Sequence, residues 1–399
     1  MKRRAFNTGL FFVVFCVALV AAMTARGQRK QSQTAPVADY NVSGPYTHKN
    51  LTIFLLRGAG QSLSRAPLTL QEAMKRKLVV VRETGDVNRL TIQNRSNQDV
   101  FVQAGDIVKG GQQDRALALD LIVPPKSGRI PIDAFCVEQG RWSRRGNEAV
   151  TAFSASDNAL ASKDLKIAAK AKSSQGDVWA NVGKAQEKLA AKLVFADPAN
   201  MGSGGSPAAV GGSEEVATTS SGNVSIRQAQ LRVPPTIGHG SMRAPAGLAS
   251  VTDRASPSSL QLTLENKLVK DTAGDYVKNL SSIINGKRDV IGFVFAINGQ
   301  INSADVYSSN ALFAKLWPKM LEASAIEAIA ELKGEEKFQP VDAIAVKAFL
   351  CESQSGKAET KRVTARTSVV KHETEKKLFF ESRDHAQNGK WVHRNYITK

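Results

Sequence analysis

Apolar positions along the chain change period several times, and each change marks a structural element. Residues 51–56 form a continuous apolar run of strand length, the pattern of a strand covered on both faces. Residues 68–77 read as a short helix, with Thr69 and Glu72 at capping-box spacing, followed by a strand at 78–82. Residues 89–93 and 99–103 flank a polar turn and are expected to pair antiparallel. Two further strands, 116–123 and 129–137, are separated by Pro124-Pro125-Lys126-Ser127-Gly128, which is turn chemistry. Two helical stretches, the clearer at 177–193, close this half. The expected product is an antiparallel β-rich unit, sandwich or jelly-roll-like.

The second half mixes periods more evenly. Residues 259–284 carry helical spacing, and strands at 289–297 and 300–307 are joined by Asn298-Gly299, a strong hairpin signal. A long helix is expected over 310–332, bent or split at Pro318. Residues 343–350, 363–371, 377–382 and 390–397 read as strands, the last two turning through Asn388-Gly389. The fold class is therefore α+β. Residues 197–258 are Gly/Ser-rich, with too few large apolar groups to offset the entropy of ordering, and read as a flexible tether or an insertion. The resulting division is a signal peptide at 1–27, a flexible leader at 28–46, a β-rich domain with closing helices at 47–196, and an α+β domain at 259–399.

The start of the chain sets an expected compartment. Lys2, Arg3 and Arg4 precede an apolar run at 10–23 and small residues at Ala21, Ala22, Ala25 and Gly27, the layout of a secretory signal. The run is shorter than the roughly 20 apolar residues that span a bilayer, so no stable membrane span is expected after cleavage. The protein is expected to be periplasmic or extracellular. With 42% hydrophobic and 23% charged residues, the chain is globular rather than disordered. A net charge of +18 favours anionic surroundings or simply maintains solubility. Aromatic residues make up only 6% and do not interleave with the basic ones, so no nucleic-acid platform is expected. After cleavage Cys136 and Cys351 remain, either as a disulfide between the halves or as two buried free thiols.

Candidate chemistry emerges by exclusion. His48, His239, His372, His385 and His393 lie far apart and show no metal-ligand spacing, so neither a metal nor another cofactor is expected. No Gly-x-Ser-x-Gly elbow and no phosphate-binding P-loop is present. What remains is the stretch 102–142. Gly110 and Gly111 can take backbone angles that leave amides facing a ligand, and Gln112, Gln113, Asp114 and Arg115 follow at once. Glu138, Arg141 and Trp142 form a second cluster after a strand. Asp114 and Glu138 are the candidate acid-base carboxylates, and Gly110, Gly111, Gln112, Gln113, Arg115, Arg141 and Trp142 the candidate ligand contacts. The structural alternative is a β-bulge at the glycines and carboxylates that only anchor arginines.

Four segments in order, AGDIVKGGQQDRALALDLIVPP, FCVEQGRW, GDVWANVGKAQ and FVFAINGQINSADVYSSNALFAKLWPKML, resemble the ARG and Rhodanese-Phosphatase-superfamily-associated Protein family, a bacterial domain. The resemblance covers most of residues 48–385 outside the Gly/Ser-rich segment. It implies the extent of the ordered chain, hints at small-molecule or nucleotide-derived ligands, and transfers no reaction or catalytic residue. Residues 102–108 also resemble the Gly-Asp turn of cupin jelly rolls, but no histidine lies between His48 and His239 to supply the metal ligands of that fold. Two functions remain open. One is an exported binding or scaffold protein for a polar or anionic small molecule. The other is a metal-independent hydrolase or transferase for a phosphate- or sugar-containing substrate, with Asp114 or Glu138 as base and Arg115 and Arg141 holding the anion.

Overall fold

Strand pairing joins segments from the two halves of the chain. The computed structural model describes residues 40–60, 65–194, 248–334 and 337–399. The signal, most of the leader and residues 197–247 of the expected linker lie outside the described residues. The fold is α+β with large antiparallel sheets. Its eight-stranded sheet runs in the order β1 (Asn41–His48), β2 (Leu51–Arg57), β12 (Val290–Ile297), β13 (Gln300–Tyr307), β17 (Lys390–Thr398), β16 (Lys377–Asp384), β15 (Thr367–Glu373), β14 (Lys357–Arg362). Leu51–Arg57 thus inserts beside Val290–Ile297, in antiparallel register from Leu51 opposite Ile297. Every residue of β12 is buried, as its neighbours and the helix Asn310–Ala330 require. Asn298 and Gly299, with φ of +52° and +74°, make the expected tight hairpin turn.

The remaining strands form a sandwich. One sheet runs β11 (Phe153–Ala159), β7 (Asp106–Gly110), β8 (Arg115–Leu117), β10 (Ile130–Cys136), β5 (Arg89–Asn94), β4 (Val79–Glu83). The other is β3 (Leu68–Thr69), β6 (Val100–Val102), β9 (Leu121–Val123). Val81, Leu90, Ile92, Val108 and Leu117 of the first pack with Val100, Val102, Leu121 and Val123 of the second in one apolar core. A larger core combines Ile53, Leu55, Phe293, Phe295 and Phe313 with Leu165, Val178 and Leu260.

Several sequence expectations change here. The strands near 89–93 and 99–103 belong to different sheets, because β5 pairs with β4 and β10 while β6 pairs with β9 and, in parallel, with β3. The run 116–123 breaks into two strands around Asp120, whose carboxylate is drawn to Ala104 N–H and His393. Residues 343–350 are not a strand but part of the helix Ala343–Ser353. Asp342 caps it by accepting from Ala345 N–H, and Val346, Phe349 and Leu350 fall on its buried face at helical spacing. The helix Asn310–Ala330 continues across Pro318 without splitting. Asn41–His48, mostly assigned to the leader, is strand, and Leu248–Val251, assigned to the linker, is helix. The capping box of the helix Leu70–Lys75 is present as expected, with Thr69 and Glu72 bonded reciprocally.

The two thiols are free, so the considered disulfide is not formed. Cys136 is buried on β10, where desolvation pushes its thiol up to about 11, whereas Cys351 is exposed rather than buried.

Candidate functional site

The β7–β8 connection spends its amides inside the protein. Gly110 N–H donates to Asp114 Oδ1 at 2.8 Å, Gly111 N–H to Ala149 O at 3.0 Å, and Gln112 N–H to Glu83 Oε1 at 3.0 Å. None of these three donors faces a ligand. Asp114 and Glu138 are fully buried beside each other, and Asp114 N–H donates to Glu138 Oε2 at 3.0 Å.

Two guanidinium groups saturate the carboxylates. Arg145 grips Asp114 through Nη1–Oδ2 at 2.8 Å and Nη2–Oδ1 at 2.9 Å, the strong bidentate geometry, and also reaches Glu148 at 2.9 Å. Arg141 grips Glu138 through Nε at 2.6 Å and Nη2 at 2.7 Å, while its Nη1 donates to Gly111 O at 3.1 Å. Ser259 Oγ donates to Asp114 at 2.8 Å and Ser256 Oγ to Glu138. Burial would raise the Glu138 carboxyl, but Arg141, Ser256 and the Asp114 amide outweigh it and hold the group below its ordinary range. A general base needs a free lone pair facing a substrate, and both carboxylates have theirs engaged.

Of the four charged candidates, Asp114, Glu138 and Arg141 meet, as a clamp, and Arg115 does not join them. They tie the β7–β8 turn to the end of β10 and to the start of the helix Leu260–Glu265. Arg115 joins a different pair: its Nη1 donates to Gln113 O at 2.8 Å and its Nη2 lies 3.6 Å from Glu83. The Gln113 side chain is wholly buried, and Trp142 is 51% exposed. Arg145, Ser256 and Ser259 complete the clamp and were not singled out from sequence, where Ser256 falls in the Gly/Ser-rich segment and Ser259 at the start of the helical stretch that follows it.

Gly111 shows how tightly the clamp is built. Its φ is +58°, and an added Cβ would sit 2.5 Å from Glu83 Oε1 and 2.6 Å from the Phe153 ring. Gly111→Ala is expected to destabilise the protein by about 2 kcal/mol or more, combining the left-handed backbone with the clash. Urea denaturation checks this, and an unchanged midpoint would refute it.

The open chemistry lies elsewhere. A cleft of about 790 Å3 is bordered by β12, β13, the helix Ala343–Ser353 and the ends of the sheet. Lys163, Lys188, Lys333, Lys377 and Lys399 line it, with Glu327 and Asn302 buried at its floor. Lys188 pairs with Glu331, Lys377 with Glu352, and Lys399 with Glu373 at 2.6 Å. Glu327 Oε1 accepts from Lys163 N–H at 2.8 Å and from Asn302 Nδ2 at 2.9 Å. Desolvation raises the Glu327 carboxyl above its ordinary value, which favours the neutral acid. Ile301, Val341 and Phe349 give the same cleft apolar wall.

The sequence profile of the ARG and Rhodanese-Phosphatase-superfamily-associated Protein domain matches residues 39–397. The chain belongs to this family. No curated protein and no solved structure matches it. The family match reaches every described element, so the clamp, the core below and all of the cleft except Thr398 and Lys399 lie within the one family domain.

A second polar cluster of this family member is buried where the sandwich meets the eight-stranded sheet. His393 lies between two carboxylates, with Nδ1 2.7 Å from Asp120 and Nε2 3.0 Å from Asp305. Tyr307 stacks on the imidazole at 4.6 Å, and Ser382 Oγ donates to Asp120. Lys170 Nζ donates to Asn395 Oδ1 at 2.9 Å, and Asn395 Nδ2 donates to Asp305 at 3.0 Å. Burial works against the imidazolium, but Asp120 and Asp305 overcome it and raise His393 above its ordinary value. Sequence reading treated His393 only as one of five scattered histidines. Its partners lie 273 and 88 residues away, so no spacing rule finds them. Among the described residues, no group of three or more His, Cys, Asp or Glu is arranged to hold a metal ion, and no helix is long and apolar enough to cross a membrane.

Proposed function

We propose that this chain is an exported protein that binds a polar or anionic small molecule in the 790 Å3 cleft, rather than at the Gly110–Trp142 loops. The supporting observation is a cleft of ligand size, lined by an apolar wall and five lysines, three of them paired with Glu331, Glu352 and Glu373, with the buried Glu327 carboxyl, raised above its ordinary value by desolvation, at its floor. Lysines at the border attract an anion, and the apolar wall accepts the rest of the molecule. The hydrolase or transferase alternative asked Asp114 or Glu138 to act as base, and Arg141 and Arg145 leave neither carboxylate free for that work.

Thermal-shift titration of the mature protein with nucleotides, ADP-ribose, sugars and anionic glycans is the test. A ligand at 100 times its Kd stabilises the folded state by about 2.7 kcal/mol, a shift of several degrees. Lys163→Glu is expected to remove most of that shift, and Trp142→Ala to keep it. The reverse pattern would return binding to the Gly110–Trp142 loops and defeat the cleft reading.

Export rests on the basic start, the apolar run at 10–23 and the small residues after it. N-terminal sequencing of protein recovered from the cell envelope or medium is expected to begin after Ala22 or Gly27. Full-length protein confined to the cytoplasm would overturn this part of the proposal.

A further inference from the structure

The floor of the 790 Å3 cleft holds two polar atoms that the protein itself leaves unused. Glu327, on the helix Asn310–Ala330, and Asn302, on β13, are only 4% and 7% exposed, and both border the cleft. Glu327 Oε1 accepts from Asn302 Nδ2 at 2.9 Å and from Lys163 N–H at 2.8 Å, which fixes both side chains. Glu327 Oε2 and Asn302 Oδ1 are buried with no hydrogen-bond partner among the described residues. Buried polar atoms are costly to leave unpaired, and most in folded proteins have a partner. Two of them on bonded side chains at the floor of an open cleft mark a place where a ligand completes the bonding. A slot of about 20 Å3 adjoins the cleft at Glu327, walled by Leu165, Leu189, Leu264 and Ile326, and the two spaces share Ser162 and Lys188 as well. It has room for about one water-sized group.

The group that fits the floor is narrowly defined. A hydroxyl both donates and accepts, so it pairs with Glu327 Oε2 as carboxylate or as acid, and with the amide oxygen of Asn302. An ammonium is repelled by Lys163, Lys188 and Lys333 around the same cleft. An apolar group leaves both oxygens unpaired. Above the floor, the half-buried Ile301 and Val341 offer carbon surface to the C–H groups of a ring. Lys163 lies outside the three ion pairs at the border and is placed for an acidic group.

We infer that the cleft takes a hydroxylated anion, a sugar acid or a sugar phosphate, whose adjacent hydroxyls bond Glu327 Oε2 and Asn302 Oδ1 while its acidic group meets the border lysines. This assignment rests on the small-molecule site proposed above and adds which end of the ligand reaches the floor.

Matched pairs of compounds test it by calorimetric titration of the intact protein. Glucuronate is compared with cyclohexanecarboxylate, and glucose 6-phosphate with cyclohexylmethyl phosphate. Each pair keeps a six-membered ring and the acid and differs in the hydroxyls. The hydroxylated member of at least one pair is expected to bind at least about tenfold tighter, because a site built to bond a hydroxyl rejects the analogue that lacks it. The pair that shows the preference tells whether a carboxylate or a phosphate sits at the lysines. Equal affinities within both pairs overturn the inference, and the cleft site survives that result if Lys163→Glu weakens all the compounds alike. Failure of all four to bind overturns the inference and the cleft site together. Asn302→Leu is expected to bring the ratio close to one, and an unchanged ratio puts the hydroxyls elsewhere and overturns the inference. The pairs are read first on the unsubstituted protein, so a variant that misfolds leaves a decisive result.

Discussion

His393→Leu is expected to destabilise the protein by about 3–5 kcal/mol, the range for removing one partner of a buried charge network. The substitution leaves Asp120 and Asp305 buried without the cation that lies 2.7 Å and 3.0 Å from them. It also removes the ring stacked on Tyr307 at 4.6 Å. The same triad predicts how stability depends on pH. His393 is raised above 6.5 in the folded state, so its contribution is fully present below 6.5 and is lost as pH rises through the folded value. For Asp120 and Asp305, burial acts upward, but His393 and the nearby lysines outweigh it, and both are held below 3.8. Their contribution is present above 3.8 and is lost as pH falls through the folded values. Stability is therefore expected to be greatest between these limits and to decline on both sides. Urea midpoints from pH 3 to pH 10, on the order of one unit apart, would reveal the plateau. In His393→Leu the decline on the alkaline side should disappear. A variant as stable as the parent would rule out the charged triad.

Arg145→Ala is the second large effect, again about 3–5 kcal/mol, because it removes both bonds to the fully buried Asp114 and strands that charge. Asp114 would keep Gly110 N–H and Ser259 Oγ, and Arg141 approaches it only to 3.9 Å. Trp142→Ala, in the same region but 51% exposed, is expected to change stability by no more than about 0.5 kcal/mol. Guanidinium denaturation of both variants separates clamp from surface. A small loss in Arg145→Ala would mean that the Asp114 carboxylate tolerates being free, and the Gly110–Trp142 region would regain its standing as a chemical site.

The clamp also explains why that region reads as a functional site in sequence. Paired glycines, two carboxylates and two arginines are the residue types of an anion pocket, and they are equally the types of a buried ion-pair knot. What separates the two is whether every donor and acceptor is consumed, and that is settled by contacts with Ala149, Glu83 and Ser259. The lysines of the cleft come from five separate places in the chain and form no motif at all.

Elements whose causes are local were legible from the chain alone. Asn298-Gly299 requires only two residues that accept positive φ between alternating strands, and Thr69 with Glu72 requires only a side chain able to reach a backbone amide three positions away. The long amphipathic run that became the helix Gln175–Val194 carries its period within itself. Partner choice was not local. A strand exposes the same hydrogen-bonding edge to any neighbour, so nothing near residues 51–57 names Val290–Ile297 as its partner, and nothing near 89–103 assigns the two strands to separate sheets. The run at 343–350 fits both periods until the Asp342 cap and the packing of Phe349 on Tyr396 choose helix. Sequence thus determined the class, the family and the short-range turns and caps of this protein. Tertiary structure alone decided which charges are buried together and which remain open, because burial and electrostatic pairing depend on distances that the chain closes only by folding.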